Sequence, residues 1–330
     1  MKIVYLEPIA SFHDSLRSDT LWGLMCWGIR NVCSEKMLLD FLAAYGDPAG
    51  GVKVSSAFPY NAVGSGKELL FPKPFGKPAS ILSTAGKSTR AELTGDYKRI
   101  KDYKGISFLS QSDFFRFLSG NLSEQELFDS AAELAALKPR FRKHERIHNT
   151  IDRISGGTPQ QGGLYTREVT YAIDSGLFFL MDGDPVWLSV LEGALRFLSH
   201  FGFGGDASTG KNHFRVTIED FVPPQVQNPN GFVTLSLYIP QPNEVTLFRA
   251  NPDFVWYEIA HRKGKFGGRF IQAARFWTDT VFAFAEGSVF PLTGQPRNGC
   301  LVETPTDDKA AEFIPRRNGI AFDLPMKIAG

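Results

Sequence analysis

Apolar residues along the chain recur with two periods, one typical of strands and the other of helices. Residues 3–6 form a short apolar run, which predicts a strand over residues 2–6. Apolar residues then recur every three to four positions over residues 21–32. That spacing predicts a largely buried helix, which Ser18 or Asp19 can cap.

The same two periods predict most of the remaining elements. Extended stretches are predicted at 52–60 and 68–71, helices at 34–46, 122–137 and 187–198, and strands that begin at Leu164 and Phe214. Residues 76–105 are basic and show little apolar periodicity. We therefore expect a long basic loop or insertion there.

Residues 222–231 are rich in proline, asparagine and glutamine and separate two strand-like runs, so they predict a domain boundary. Beyond them, strands are predicted at 232–239, 244–248, 275–284 and 319–324, with a basic glycine hairpin at 261–269. The sequence predicts an α+β fold with antiparallel sheets of the ferredoxin-like or RNA-recognition-motif-like kind, divided into residues 1–221 and 232–330. The K/R-G-F/Y-G/A-F-V-x-F/Y signature of standard RNA-recognition motifs is absent from the sequence.

Composition narrows the class of protein. The chain has 330 residues, 43% of them hydrophobic, and a net charge of +1, so nucleic acid can bind only through local basic patches. Three cysteines without a C-x-x-C pair predict a reducing, cytoplasmic environment rather than a disulfide framework. The N-terminal apolar run is too short for a signal peptide, and no run is long enough to cross a membrane.

Residues 201–214, here called the glycine loop, are the first candidate site. Four of the fourteen residues are glycine, and exposed amides in such a loop suit an anion. Ser208, Thr209 and Lys211 add hydrogen-bond donors and one positive charge. The alternative is a tight turn from a helix to a strand. We favour a loop that contacts phosphate through the backbone of Gly204, Gly205 and Gly210.

A nucleotide-binding P-loop does not fit this stretch. Gly205, Gly210 and Lys211 match G-x-x-x-x-G-K, but Asn212 stands where a magnesium-binding Ser or Thr is required. The predicted order is also helix, loop and strand, whereas a P-loop follows a strand and begins a helix.

A second candidate site is H-E-x-x-H at residues 144–148. On a helix, His144 and His148 would share a face and bind zinc, with Glu145 as the general base of a metallohydrolase. Neighbouring arginines oppose a dication, and no third ligand is marked. A solvated, charged turn that leads into a strand and a basic phosphate-binding face are the other two interpretations.

The chain resembles a known family at several places in the same order. These are residues 12–13 and 18–23, 57–59, 71–74, 148–153 with 162–165, 204–211, and 286–288. They are similar to the repeat-associated mysterious proteins (RAMPs) of CRISPR systems, in particular to the fourth Csm subunit of type III-A interference complexes. Asn212 and His213 depart from the family's loop, where a further glycine often follows the lysine.

The resemblance implies two ferredoxin-like domains and a non-catalytic subunit without a metal or cofactor. Such a subunit binds the 5′ repeat-derived handle of the guide RNA (crRNA), contacts the large polymerase-like subunit and a backbone RAMP subunit, and meets target RNA indirectly. The candidate RNA-binding residues are His13, Ser18, Lys73, Arg146, His148, Asn149, Arg153, Gly204, Gly205, Ser208, Thr209, Gly210 and Lys211. One alternative is a RAMP endoribonuclease that processes precursor crRNA, with His13 or His148 as acid or base. The other is the zinc hydrolase.

Overall fold

The computed structural model describes residues 1–12, 16–76, 90–159, 163–264, 278–304 and 315–328, with only the backbone of residues 90–96. In the first half the elements are β1 (Lys2–Pro8), α1 (Ser18–Val32), α2 (Glu35–Ala43), β2 (Val52–Val54), β3 (Phe58–Val63), β4 (Gly66–Pro72), α3 (Arg90–Gly105), β5 (Phe108–Ser110), α4 (Gln111–Leu118), α5 (Glu124–Asp129), α6 (Ala131–Ala136), β6 (Phe141–Asn149), β7 (Leu164–Ala172), β8 (Ser175–Gly183), α7 (Pro185–Phe201) and β9 (Phe214–Asp220). In the second half they are β10 (Gly231–Thr234), α8 (Pro242–Ala250), β11 (Ile259–Arg262), β12 (Val281–Phe284), β13 (Val289–Pro291), β14 (Gly299–Glu303), β15 (Arg316–Ile320) and β16 (Asp323–Met326).

The first half has ferredoxin-like topology. Four antiparallel strands lie in the order β3-β8-β1-β9, which is second, third, first and fourth along the chain. Helix α1 follows the first of these strands and α7 follows the third, as in a βαββαβ unit. The two helices approach closely at Gly28, where a Cβ would lie 2.7 Å from the Cβ of Ala194.

Several elements extend this unit. Strand β2 also pairs with β8, and β4 and β5 continue the sheet beyond β3. Helices α3 to α6 and the β6–β7 hairpin are inserted between β3 and β8. The hairpin is therefore an insertion in the ferredoxin-like unit. Near its base, Thr170 pairs with Phe12, which lies in the segment between β1 and α1.

The alternating side chains of β8 contribute to two hydrophobic cores. Leu177, Phe179 and Met181 pack in the cluster that α1 and α7 cover. Phe178 and Leu180 point to the other face and pack in a cluster shared by α4, α5, α6 and residues of the second half. Because both faces of the sheet are covered, β8 is a run of apolar residues rather than a half-polar strand.

The second half is built on a three-stranded sheet in the order β13-β10-β16. These strands correspond to the third, first and fourth strands of the ferredoxin-like unit in the first half. Helix α8 follows β10. Among the described residues, the β14–β15 hairpin occupies the segment between β13 and β16 where a ferredoxin-like unit has its second helix. The α+β, antiparallel class is confirmed, and the second unit departs from the ferredoxin-like plan.

Three expectations about local structure are wrong. Residues 90–105 form helix α3 rather than loop, because Tyr103 and Ile100 on one side of it pack into the core. Residues 244–248 belong to α8, because Pro242 and a capping box between Gln241 and Glu244 start a helix there. Residues 122–137 form two short helices rather than one.

The remaining expectations are confirmed in part. Ser34 caps α2 as predicted. Helix α1 begins after Arg17 without a side-chain cap, so the expected cap at Ser18 or Asp19 is wrong. Residues 77–89 of the basic stretch and 265–269 of the glycine hairpin lie outside the described residues.

The predicted boundary at residues 222–230 contains no helix or strand. However, Val233 and Phe322 of the second half belong to the same hydrophobic cluster as Ile3 and Phe178 of the first half. The division into two domains therefore stays a prediction.

Candidate nucleic-acid interface

The H-E-x-x-H motif lies on strand β6, not on a helix. Alternation puts His144 and His148 on one face and Glu145 on the other. Four residues along a strand span roughly 13 Å, which is far more than two imidazoles on one zinc ion can be apart. The described residues contain no cluster of three metal-ligating side chains. The helix-borne zinc site is therefore wrong in its geometry.

Strands β6 and β7 pair in a nine-residue antiparallel register, so side chains of opposed residues share a face. We call one face the basic-aromatic face. Its basic and aromatic residues are Arg142, His144, Arg146 and His148 on β6 and Tyr165, Arg167 and Tyr171 on β7, and Val169 on the same face is buried. All of the basic and aromatic side chains are exposed or half-buried. A two-stranded ribbon with cations and aromatic rings on one side suits a nucleic-acid strand.

Aromatic contacts order this face. The rings of His148 and Tyr165 stack with centroids 5.3 Å apart and planes 13° apart. The guanidinium of Arg167 lies 5.4 Å from the centroid of Tyr165, and His144 meets Tyr171 edge-on at 5.8 Å. Rings held in this way lose little rotamer freedom when a ligand stacks on them.

The opposite face of the hairpin is more nearly neutral. Glu145 lies directly opposite Glu168, and the ammonium of Lys143 is 2.9 Å from a carboxylate oxygen of Glu168. Asn149 also belongs to this face, and its Oδ1 accepts a hydrogen bond from Thr158 at 2.9 Å. The positive charge of the hairpin is therefore concentrated on the basic-aromatic face.

The glycine loop has the predicted order of helix, loop and strand. Helix α7 ends at Phe201, a 3-10 turn covers Ala207–Thr209, and β9 follows. Backbone φ is positive at Gly204 (91°) and Gly210 (80°), conformations that glycine adopts without strain. Gly205 does not have a positive φ, and a Cβ there would meet nothing within 4 Å. Among the described residues, no contact requires glycine at position 205.

The loop also presents unused donors. The amides of Gly205 and Ser208 donate to no described residue, and the side chain of Ser208 is exposed. Thr209 instead donates its hydroxyl to the carbonyl of Asp206 at 2.8 Å. These features fit an anion-binding nest, with Ser208 rather than Thr209 as the free hydroxyl.

Asn212, the departure from the family pattern, is explained by its conformation. Its φ is 56°, a left-handed value that asparagine tolerates better than most residues. Its side-chain amide donates to the carbonyl of Gly205 at 2.6 Å, and its backbone amide donates to Ser11 at 3.0 Å. Asn212 thus adopts a backbone conformation suited to glycine and also links the two ends of the loop.

The glycine loop and the hairpin are in contact. Asp206 accepts a hydrogen bond from Arg167, and the ammonium of Lys211 lies 3.6 Å from Asp206. Lys211 also lies 3.4 Å from Nε2 of His148. We call these four residues the loop-hairpin contact. The structure therefore brings together two stretches, near 146–148 and 204–211, that the sequence marked separately.

Two of the predicted RNA-binding residues form buried contacts away from the hairpin and the glycine loop. Lys73 is largely buried, 3.7 Å from Glu124 and 3.9 Å from the centroid of the Tyr103 ring. Burial lowers the pKa of Lys73. The hydroxyl of Ser18 is buried and accepts from the amide of Leu237 at 3.0 Å. These contacts give Lys73 and Ser18 packing roles within the chain, and RNA binding by either residue stays a prediction.

Ser18 belongs to a junction between the two halves. Its amide donates to the hydroxyl of Ser56 at 2.9 Å, and that hydroxyl in turn donates to Glu286. Arg17 donates from Nε to the same carboxylate at 3.0 Å. Ser18 and Glu286, which lie in two of the stretches that carry the resemblance, are therefore joined through Ser56 at a contact between the two halves.

Most of the remaining residues that the sequence predicts to bind RNA are exposed. Arg146, Arg153, Ser208 and Gly210 are exposed, and Arg153 lies in the loop beyond β6. His13 lies outside the described residues. Sequence reasoning missed Arg142, Tyr165, Arg167 and Tyr171 as site residues. The alternation of Tyr165 and Arg167 along a predicted strand was the signal that could have placed these two side chains on one face of that strand, whereas their position relative to His148 follows only from the hairpin register.

No protein-family model matches the chain, and comparison with curated proteins finds no relative. Solved structures do match over nearly the whole length. One is a chain of a Csm1-Csm4 cassette in complex with AMPPNP, at 18% identity and a TM-score of 0.60, covering 100% of this chain and 98% of that one. Another is a chain of a Csm3-Csm4 subcomplex in the type III-A CRISPR-Cas interference complex, at 16% identity and a TM-score of 0.65, covering 99% and 100%.

A third match is a chain of the type III-B Cmr-beta complex bound to cognate target RNA and AMPPnP, at 15% identity and a TM-score of 0.51, covering 88% of this chain and 86% of that one. The likeness establishes the α+β fold that these chains share. Among the described helices, none combines the length and apolarity that a membrane span requires.

Proposed function

We propose that this chain is the fourth Csm subunit, Csm4, of a type III-A CRISPR interference complex. The observation that carries the proposal is the end-to-end structural match to chains of two different assemblies, a Csm1-Csm4 cassette and a Csm3-Csm4 subcomplex. Csm4 is the component that these two assemblies have in common. The ordered sequence motifs lead independently to the same subunit.

The RNA-binding role rests on the basic-aromatic face and the glycine loop beside it. Single-stranded RNA is bound by cations that follow the phosphates and by rings that contact bases, and both lie on one side of the hairpin. The amides of Gly205 and Ser208 add donors for a phosphate oxygen. We propose the 5′ handle of the crRNA as the ligand of this surface.

The proposed partners are a large polymerase-like subunit, a backbone RAMP subunit and, through the guide, target RNA. We propose a non-catalytic role and a cytoplasmic location. The three cysteines are free thiols, which suits a reducing compartment. In the endoribonuclease alternative His13 or His148 is the acid or base. Of these two, His148 stacks on Tyr165 and contacts Lys211.

Purification of the tagged chain from its native host tests the proposal. We expect crRNA with its repeat-derived 5′ end and the two partner subunits to co-purify. The isolated chain should bind handle RNA with a log-log salt slope of about −0.7 for each phosphate contacted. Recovery of no RNA, together with a slope near zero, would refute the proposal. Cleavage of precursor crRNA by the pure chain would favour the endoribonuclease.

A further inference from the structure

Lys211 was expected to bind RNA phosphate, but its environment points to another role. Its side chain is only 5% exposed. Its ammonium lies between the carboxylate of Asp206, at 3.6 Å, and Nε2 of His148, at 3.4 Å. An ammonium group only donates hydrogen bonds, so Nε2 of His148 is the acceptor in this contact. The positive charge of Lys211 is therefore used within the chain.

Asp206 connects the same lysine to the hairpin by a second path. It accepts from Arg167, which lies on β7 two residues from the Tyr165 ring that stacks on His148. Lys211 and Asp206 thus contact both strands of the hairpin, β6 through His148 and β7 through Arg167. Both contacts lie in the outer part of the hairpin, beyond the base where Phe12 pairs with Thr170.

We propose that Lys211 is a positioning residue for RNA binding. With Asp206, it holds the outer part of the hairpin against the glycine loop, so that the cations of the basic-aromatic face and the loop amides face one RNA strand together. It makes no phosphate contact of its own. This inference rests on the proposed RNA-binding function, but the contact that it describes exists in the RNA-free protein and is tested there first.

The physical argument concerns the flexibility of a two-stranded ribbon. An isolated hairpin is only marginally stable in water, so its outer part keeps a fixed orientation only through contacts with the rest of the chain. A strand of RNA that must contact both the hairpin and the loop gains affinity when the two are already held in place. A buried lysine that contacts a carboxylate and an imidazole supplies such a link.

The first test uses hydrogen exchange of the full chain without RNA. Lys211→Met keeps the length of the side chain and removes its charge and donors. We expect amides of β6 and β7 outside the base to exchange about tenfold faster, the effect of losing one hydrogen bond to a charged group. Lys73→Met, which removes another paired and largely buried lysine, is the matched control and should leave hairpin exchange unchanged.

The second test measures binding to handle-length single-stranded RNA over a range of salt concentrations. Lys211→Met should weaken binding about tenfold without changing the log-log salt slope, whereas loss of a direct phosphate contact would reduce the slope by about 0.7. In an Arg146→Gln/Arg167→Gln background, Lys211→Met should have no further effect. A general structural role would weaken binding equally in both backgrounds.

The outcomes separate this inference from the proposed function. If the parent chain does not bind RNA, the proposed function fails, and the exchange experiment still decides whether Lys211 holds the hairpin. If the parent binds RNA but Lys211→Met leaves hairpin exchange unchanged, or lowers the salt slope by one phosphate contact, the positioning role is wrong. Recovery of exchange protection and affinity by Lys211→Arg, which restores the cation, would support it further.

Discussion

Arg146 and Arg167 lie directly opposite each other in the β6–β7 ladder, with both side chains on the basic-aromatic face. Like charges at opposed positions destabilise a hairpin. Arg167 is compensated by Asp206, but Arg146 forms no ion pair with any described residue. The hairpin therefore holds an unbalanced positive charge, which an RNA phosphate placed between the two guanidinium groups would neutralise.

Arg146→Glu is expected to stabilise the hairpin and weaken RNA binding. A glutamate opposite Arg167 replaces a repulsion by an attraction, so exchange of hairpin amides in the free protein should slow. Affinity for handle RNA should fall by at least about tenfold, and the salt slope should lose about 0.7. Fluorescence anisotropy at several salt concentrations measures both quantities.

Arg99→Glu is the control for Arg146→Glu, because Arg99 is also an exposed arginine, and it lies on helix α3 and pairs with Asp129. It should leave RNA affinity nearly unchanged. If both variants weaken binding to the same extent, the hairpin is not a specific contact surface and the effect belongs to net charge alone.

Two of the three exposed glycines of the loop, Gly205 and Gly210, are expected to respond differently to alanine. Gly210 has a φ of 80°, so Gly210→Ala should cost about 1–2 kcal/mol of unfolding free energy. Gly205 has neither a positive φ nor a close neighbour, so Gly205→Ala should change stability by less than about 0.5 kcal/mol. Urea unfolding of both variants checks this difference.

RNA binding by Gly205→Ala then tests the loop as a contact site. A methyl group at position 205 would stand between the loop amides and an approaching phosphate, so affinity should fall although stability does not. A variant that folds normally and binds handle RNA as tightly as the parent would show that the glycine loop is only a turn.

The junction between the two halves is expected to depend on Glu286. Its carboxylate accepts from Arg17 and from the hydroxyl of Ser56, and only about a tenth of its side chain is exposed. Glu286→Gln removes the ion-pair partner of Arg17 and leaves the guanidinium only the weaker attraction of Asp19 and Glu258. The unfolding free energy should therefore fall by about 3 kcal/mol, which is at the low end for a buried pair because Arg17 is one-quarter exposed.

The double variant Arg17→Met/Glu286→Gln distinguishes the ion pair from packing. Removing both charges avoids an unpaired buried group, so the double variant should be more stable than Glu286→Gln alone. If the loss of unfolding free energy in the double variant equals the sum of the losses in Arg17→Met and Glu286→Gln, Arg17 and Glu286 do not interact energetically. The junction then depends on other contacts.

The sequence predicted helices and strands well where the apolar residues of a segment recur with a single period. Helix α7 and strand β9 have regular apolar spacing, and both are confirmed. The pattern failed at residues 244–248, where alternation suggested a strand but a capping box decided for a helix. Helix α3 was missed because its apolar residues are few and lie among many charges, so only its packing against the core reveals it.

The candidate site was predicted by composition and corrected by geometry. Basic residues and glycines marked two stretches that the structure brings into contact, but residue type alone does not report burial. Lys73 and Lys211 were expected to be donors to RNA, and both are largely buried and paired within the chain. Conversely, Arg167 was missed because its position opposite Arg146 follows from the register of the hairpin, which the sequence alone does not show.

Glu244 is expected to make stability depend on pH. Its side chain is buried at the start of α8, and burial raises its pKa above the ordinary 4.5, although the backbone amides of Gln241 and Gly299 partly offset this by donating to it. The folded state therefore binds a proton that the unfolded state has released, in the window from 4.5 up to the raised pKa. In that window, stability falls as pH rises.

Glu244→Gln removes this titration and keeps the size of the side chain. The unfolding free energy of the parent relative to the variant should be greatest at about pH 4.5 and should decrease toward neutral pH, by about 1.4 kcal/mol for each unit by which the pKa is raised. Urea unfolding from pH 4.5 to 7.5 measures it. Glu303→Gln, which removes an exposed carboxylate paired with Arg316, is the control and should show no such trend. A difference between parent and Glu244→Gln that stays constant with pH would mean that burial does not raise the pKa of Glu244.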